Sequence, residues 1–314
     1  MPAKKRRKYK ASALREAISN EPQTAKYRAE IRDLARYPIA PPPKRPRVED
    51  NPLWLLLADA HFPFVDPATW QIVQWACRDL KPSGIVIMGD WGDFGTITQH
   101  EKSPDAADSL LTEFASGDEA LDVLDAAAPT AWFRKFLRGN HEYRVDRFLA
   151  SNWCPGALKS LIPSVERGYH LEARGYEYIA DKPDTLGTDH LFLHGHFYSK
   201  HHASRHLEAL WHSTVYGHTH CPAQATHSSP NGMPNRVVAV ATGLPTMRSL
   251  IRDWHEEKRV HNWVNGFGVM EFSATHAFAH NVYVIDGQAA YGRCSWDAGH
   301  LMPTETKRNA RLQP

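Results

Sequence analysis

The chain has 314 residues, 42% of them apolar, with ten tryptophans, enough for one large domain or two small ones with a sizeable core. No run of about 18 apolar residues occurs, which argues against a membrane-spanning helix. The cysteines, Cys77, Cys154, Cys221 and Cys294, form no CxxC pair, which argues against a disulfide framework and fits a reducing, cytoplasmic compartment.

The net charge of +2 is unevenly spread. Residues 1–50 carry 14 Lys/Arg against 6 Asp/Glu, and the rest of the chain 23 against 29. The opening MPAKKRRKYKASALREA is basic but has no apolar stretch behind the charges, so it does not read as a secretory leader. Residues 1–10 are expected to be disordered. In QTAKYRAEIRDLARY (residues 23–37), Tyr27, Ile31 and Leu34 share one stripe and predict a short amphipathic helix. The proline-rich Ala40 to Pro52 predicts an extended linker. Residues 1–52 therefore form a basic arm, which either contacts DNA or RNA or is a solvated tail. The compact domain is expected over 53–296, with a loose tail over 297–314.

Within the domain the pattern first alternates. LWLLLA (53–58) predicts a buried strand, Pro67 to Leu80 a helix with proline at its start, and GIVIM (84–88) a second strand. Asp105 to Ala127 predicts a helix with Leu110, Leu111, Phe114, Leu121 and Leu124 on its inner face. AWFRKFL (131–137), HLFLHGH (190–196) and STVYGHTH (213–220) predict three more strands, the last two separated by the helical HHASRHLEAL. Short apolar strands alternating with helices predict a mainly parallel, covered sheet. After Cys221, AQATHS, RVVAVAT, GFGVMEFSAT and AFAHNVYVID read as alternating strands without a long helix. They predict a second, mostly antiparallel sheet stacked on the first.

Every strand of the first half runs into polar, metal-competent residues: Asp59-Ala60-His61, Gly89-Asp90 with Asp93 three further on, Gly139-Asn140-His141-Glu142, His194-Gly195-His196, and Gly217-His218-Thr219-His220. In open α/β sheets, sites form where the carboxyl ends of strands converge. The donors are oxygens and imidazoles without thiolate, a set that suits manganese, zinc or iron. Gly-Asn is also common turn chemistry, so the third motif alone would be ambiguous. Five such strand ends in one chain are not.

D-x-H, G-D-x-x-D, G-N-H-E, a lone histidine and G-H-x-H together resemble the calcineurin-like metallophosphoesterases, over roughly Leu53 to Cys294. GDWGDFGTIT, RGNHEYR, LHGH and YGHTH, in a chain that continues NWVNGFGVM, resemble phage and prophage members of that family. The resemblance implies an α/β fold of four layers, α/β/β/α, a double β-sheet sandwich with flanking helices. It implies two divalent metal ions, with manganese favoured and zinc, iron or nickel as alternatives. One would be held by Asp59, His61, Asp90 and His220. The other would be held by Asp90, Asn140, His194 and His218, with Asp90 bridging. A metal-bridging hydroxide would attack the phosphorus. His141 would protonate the leaving oxygen, and Asp93 would orient that imidazole.

Around these, Arg138 and Arg144 either bind a phosphoryl oxygen or form structural salt bridges. His196 either touches substrate or lies on the surface, and His201, His202, His206 and His212 read mostly as solvated. Trp91 and Phe94 either stack on a base or pack. The first functional expectation is a phosphodiesterase acting on a nucleic acid or nucleotide. Its alternatives are a phosphomonoesterase, including a protein phosphatase, and a nucleic-acid-binding scaffold without activity. Protein phosphatases carry G-D-x-V-D-R-G where this chain has GDWGDFG, and the missing arginine argues against phosphoprotein recognition.

Overall fold

The computed structural model describes residues 52–98, 109–151, 154, 156–180, 182–227, 239–249 and 262–299. The basic arm, its helix over 23–37, most of the proline-rich linker, residues 99–108 and the tail from residue 300 lie outside the described residues.

Strand β1 (Leu53–Leu57) is the centre of a six-stranded sheet and shows how the layers arise. Its side chains alternate between faces, so Leu55 and Leu57 join the cluster under the helices while Trp54 and Leu56 join the cluster facing the second sheet. All four are buried, at about 1.5–3 kcal/mol per large side chain relative to exposure. A one-residue register slip would exchange the two sets, and so the register is strongly specified. On one side β1 pairs in parallel with β2 (Gly84–Ile87), which pairs with β3 (Phe133–Leu137) and then β4 (Glu177–Ile179).

Helix α1 (Pro67–Leu80) starts where the sequence placed it. Asp66 caps it by accepting the Thr69 N–H at 2.8 Å, Pro67 occupies the first turn, and Lys81 ends it in the left-handed conformation. Helix α2 (Leu110–Ala127) begins with Ser109 as its cap. Its buried stripe runs Glu113, Phe114, Gly117, Ala120, Leu121, Leu124 and Ala127. At about 100° per residue Leu111 falls outside that stripe, and it is 64% exposed rather than on the inner face. Helix α3 (Asn140–Ala150) follows β3 directly, and two one-turn helices, α4 (Gly156–Lys159) and α5 (Val165–Gly168), lead to β4.

The second sheet contains β5 (His190–Leu193), β6 (Ser213–Tyr216), β8 (Ala239–Gly243) and β7 (Ala223–His227), in that spatial order. Helix α6 (His202–Leu210) covers its outer face through Ala203 and Leu207. The layers are therefore helices, six-stranded sheet, four-stranded sheet and helix.

Sheet membership differs from the expectation in two ways. Strands β5 and β6 leave the first sheet and found the second. Conversely β9 (Gly266–Phe272) and β10 (Ala277–Tyr283) join the first sheet, with β9 antiparallel to β1. Burial explains the β9 placement. Phe267 and Val269 enter the helix-side cluster and Met270 the inter-sheet cluster, so β9 is covered on both faces. A hairpin of β11 (Gln288–Tyr291) and β12 (Cys294–Asp297) closes the described chain. Among the described residues no helix is long and apolar enough to cross a membrane.

Candidate metal centre

The carboxyl ends of β1, β2 and β3 in one sheet meet those of β5 and β6 in the other. The bonds that join them come from the motif residues themselves. Asp59 N–H donates to the Gly89 carbonyl (3.2 Å) and His61 N–H to the Asp90 carbonyl (2.9 Å), which fixes the β1 turn against the β2 turn. His194 Nδ1 donates to the Met88 carbonyl at 2.9 Å, and the His218 N–H donates to both carboxylate oxygens of Asp59 at 3.0 and 2.9 Å, so the second sheet is tied to the first.

Local backbone geometry is unusual. Asp59, His61, Asp90, His218 and His220 all lie in the left-handed region, with φ between 52° and 69°. Such conformations cost on the order of 1–3 kcal/mol each for a residue with a side chain. Tightly packed glycines stand beside them. At Gly89 (φ +94°) an added Cβ would lie 2.6 Å from Gly139 N and 2.7 Å from His194 Nδ1. The close approach of the β2 and β3 turns therefore requires glycine.

All seven residues expected as ligands come together. Asp59, His61 and His220 form one cluster, and Asp90, His194 and His218 another, the donor atoms within each lying inside 4.8 Å of one another. Asn140 Oδ1 joins the second cluster, 2.9 Å from His194 Nε2 and 2.8 Å from His218 Nδ1. Asp90 Oδ2 lies between them, 3.1 Å from His194 Nε2 and 3.9 Å from His61 Nε2.

The pairing of these atoms fits cations. His194 commits its Nδ1 proton to Met88, so a neutral ring would point its Nε2 lone pair at two oxygen acceptors. His61 Nδ1 is bonded to Asp93 Oδ1 at 3.0 Å, and its Nε2 faces His220 Nε2 at 3.1 Å, nitrogen to nitrogen. His220 Nδ1 is buried without a hydrogen-bond partner. Lone pairs that converge in this way are stabilised by a positive charge placed among them. The negative field of the two carboxylates also shows in the ionisation of their neighbours. Burial alone would lower His194, but the charges of Asp90 and Asp59 lift it to about 10. Burial opposes ionisation of Asp90, yet His141 and His194 hold its carboxyl well below the usual range.

His141 sits beside this centre and is held at three points. Its N–H donates to Asp90 Oδ1 (2.8 Å), its Nδ1 to the Asp93 carbonyl, and its Nε2 accepts from Arg144 Nη2 (2.9 Å). The Nε2 atom is also 3.8 Å from Asp90 Oδ2, so it faces the candidate ligand cluster. Arg144 takes the lone pair that a ligand would need. Burial pushes the imidazole down to about 3. Asp93 divides its support differently from the expectation. Its carboxylate bonds His61, standing 3.5 Å from His141 Nδ1, and its main-chain carbonyl holds His141.

The flanking residues separate. Arg144 is at the centre, whereas Arg138 pairs with Asp146 at 2.8 Å and lies over the Tyr143 ring. His196 is exposed, and its N–H donates to His206 Nε2 at 3.2 Å. His202 and His206 are buried rather than solvated. His206 stacks on Tyr216 with centroids 3.8 Å apart, and His202 Nδ1 meets the Tyr216 hydroxyl at 2.6 Å. Trp91 and Phe94 pack in the helix-side core, and Trp91 Nε1 donates to the Gly117 carbonyl.

Sequence reasoning left Glu142 without a role. Its buried carboxylate accepts the N–H groups of Asp90 (2.8 Å), Trp91 (2.8 Å), Gly92 (3.3 Å) and Gly139 (2.9 Å). One side chain thus shapes both the β2 and the β3 motif turns. The only sequence signal was a glutamate three residues after the Gly139 cap, the spacing of a capping box.

The chain matches the family model of the calcineurin-like phosphoesterases over residues 54–269, and it belongs to that family of metal-dependent phosphoric ester hydrolases. No curated protein matches the chain significantly. Among solved structures it is similar to wild-type Vps29 of Entamoeba histolytica complexed with zinc, at 12% identity and a TM-score of 0.39, covering 77% of this chain and 98% of that one. It is also similar to YfcE, a phosphoesterase from E. coli, at 14% identity and a TM-score of 0.35, covering 69% and 87%. A third is the nuclease MPE of Pseudomonas putida, at 14% identity and a TM-score of 0.27, covering 72% and 87%. The family assignment rests on the family match.

Proposed function

We propose that this chain hydrolyses phosphodiester bonds of a nucleic acid or nucleotide, in the cytoplasm of a bacterial or phage-infected cell. Two divalent cations, manganese foremost, would be held by Asp59, His61, Asp90 and His220 on one side. On the other they would be held by Asp90, Asn140, His194 and His218. The observation that carries the reading is the convergence of these seven side chains from five strand ends, with Asp90 Oδ2 lying between the two clusters. When bound, the cations would supply an activated water and neutralise charge on the phosphoryl oxygens.

The chain's own residues do the rest. Since His141 Nδ1 is committed to the Asp93 carbonyl, Nε2 is the nitrogen that faces the leaving oxygen; once Arg144 turns away it takes up a proton from solvent and passes it to that oxygen. Arg144, which bonds that Nε2, turns from it to a phosphoryl oxygen when an ester enters. Asp93 anchors His61 with its carboxylate and His141 with its carbonyl, so one residue aligns a ligand with the acid.

Two sequence features support a diester over a monoester or phosphoprotein. The second motif, GDWGDFG, lacks the arginine of protein phosphatases, and residues 1–50 carry an excess of eight positive charges that suits a polyanion. The test is turnover by the manganese-loaded chain. It is expected to prefer bis(p-nitrophenyl) phosphate to p-nitrophenyl phosphate, and to cleave DNA or RNA. A strong preference for the monoester would replace this reading with a phosphomonoesterase. Deleting residues 1–50 is expected to weaken salt-sensitive nucleic-acid binding while small-substrate turnover survives.

A further inference from the structure

Several arginines among the described residues are paired with acids or with the centre. Arg134 lies against Asp125, Arg138 against Asp146, Arg174 against Asp118, Asp122 and Asp125, and Arg144 on His141 and the Asp93 carbonyl. Arg248 differs. It is half-buried, and its guanidinium carbon lies 5.9 Å from the centroid of the Phe64 ring. Among the described residues, no carboxylate is within ion-pair distance of it. Taking a guanidinium partly out of water without an anion is unfavourable.

The backbone that carries Arg248 is fixed to the ligand turn of β1. Met247 N–H and Thr246 Oγ1 both donate to the Asp59 carbonyl, at 3.2 and 2.9 Å. Arg248 N–H donates to Thr246 Oγ1 at 3.0 Å, and Arg248 forms an antiparallel bridge with Val65. Ser249 N–H donates to the Phe64 carbonyl at 2.7 Å, and Phe64 N–H to the His61 carbonyl at 2.7 Å. The main chain at Arg248 is thus tied to the β1 turn. Yet its guanidinium makes no hydrogen bond to any ligand. Its main chain borders the Asp59 turn, and its side chain is not among the bonded residues of the Asp59/His61/His220 cluster.

We propose that Arg248 is a substrate-binding residue that takes the phosphate next to the scissile one, so that the site favours esters carrying a second phosphate. This rests on the phosphodiesterase reading and names the substrate feature it selects. The scissile group already has Arg144 and His141 beside it. A guanidinium with no anionic partner among the described residues, carried on backbone fixed to the Asp59 turn, suits the neighbouring anion of a nucleotide chain, which it can grip with two parallel N–H groups.

The test compares wild type, Arg248→Ala and Arg248→Lys in the manganese-loaded full chain. With a thymidine dinucleotide bearing a 5′-phosphate, Arg248→Ala is expected to raise KM about tenfold and leave kcat within about twofold. With the dinucleotide lacking that phosphate, both constants should stay within about twofold, and Lys should restore part of the lost affinity. A second readout uses inhibition of p-nitrophenyl phosphate or bis(p-nitrophenyl) phosphate turnover, whichever occurs. Arg248→Ala is expected to weaken inhibition by adenosine 3′,5′-bisphosphate about tenfold and to spare inhibition by inorganic phosphate. Equal losses with every substrate and inhibitor, or none, would overturn the assignment. A wild type that cleaves only monoesters overturns the phosphodiesterase reading, and the inhibition constants then still decide Arg248.

Discussion

Arg144 donates from Nη2 to Nε2 of His141 over 2.9 Å, and from Nη1 to the Asp93 carbonyl over 3.0 Å. The same carbonyl takes His141 Nδ1, so arginine, imidazole and carbonyl form a closed set. The nitrogen that faces Asp90 is thereby covered by a movable cation.

The first prediction follows from that contact. His141→Ala should lower turnover by about 10²–10⁴-fold while the metal content of the protein is unchanged. Arg144→Ala should lower kcat/KM about tenfold in the wild-type background and by much less in the His141→Ala background, because the two residues act as a unit. Steady-state kinetics of the four-member cycle measures this. Equal effects of Arg144→Ala in both backgrounds would contradict the coupling.

Glu142 gives the second. Gln keeps one acceptor oxygen but turns an N–H group toward backbone donors, leaving buried groups unsatisfied. Glu142→Gln should therefore cost about 1–3 kcal/mol in urea unfolding of the chelator-treated protein, and also weaken metal binding, since Asp90 N–H and Gly139 N–H both rest on this side chain. The exposed Glu119→Gln serves as the unchanged control. Equal midpoints for the two variants would remove Glu142 from its organising role.

Much of the candidate centre was legible because its expected ligands stand in the turns directly after short apolar strands. Asp59 and His61 follow LWLLLA, Asp90 follows GIVIM, and Asn140 follows AWFRKFLR, so the strand ends could be read without knowing how the strands pair. Helix α1 was legible for a local reason too, since Asp66 and Pro67 write its start. Sheet membership was not, because an apolar run does not name its neighbour. Strand β9 lies beside β1 from more than 200 residues away. The left-handed turns at Asp59, His61 and Asp90 are imposed by bonds between motifs rather than by local composition. Glu142 reaches targets about 50 residues distant, and Arg248 belongs to no motif.

His206 carries the pH prediction. Burial pushes this histidine from 6.5 down to about 3, while its Nδ1 bonds the His202 carbonyl and its Nε2 accepts from His196 N–H. A folded-state value below the unfolded one means that the unfolded chain binds the proton more readily. Stability from this residue is therefore present above pH 6.5 and lost as pH falls toward 3. His206→Gln, which can still accept a hydrogen bond, should be less stable at pH 8 but show a flatter decline between pH 6.5 and 4 in thermal unfolding. Parallel curves for variant and wild type would contradict the assignment.

The central claim is a two-metal site bridged by Asp90, and manganese stoichiometry tests it most directly. Chelator-treated protein titrated with manganese, then freed of unbound metal and analysed for metal content, is predicted to hold two ions per chain. Asp90→Asn, which removes the shared anionic oxygen at the meeting point of His61 and His194, is predicted to hold one or none while remaining folded. A wild-type ratio of one or less, or an undiminished ratio of two in Asp90→Asn, would contradict the account.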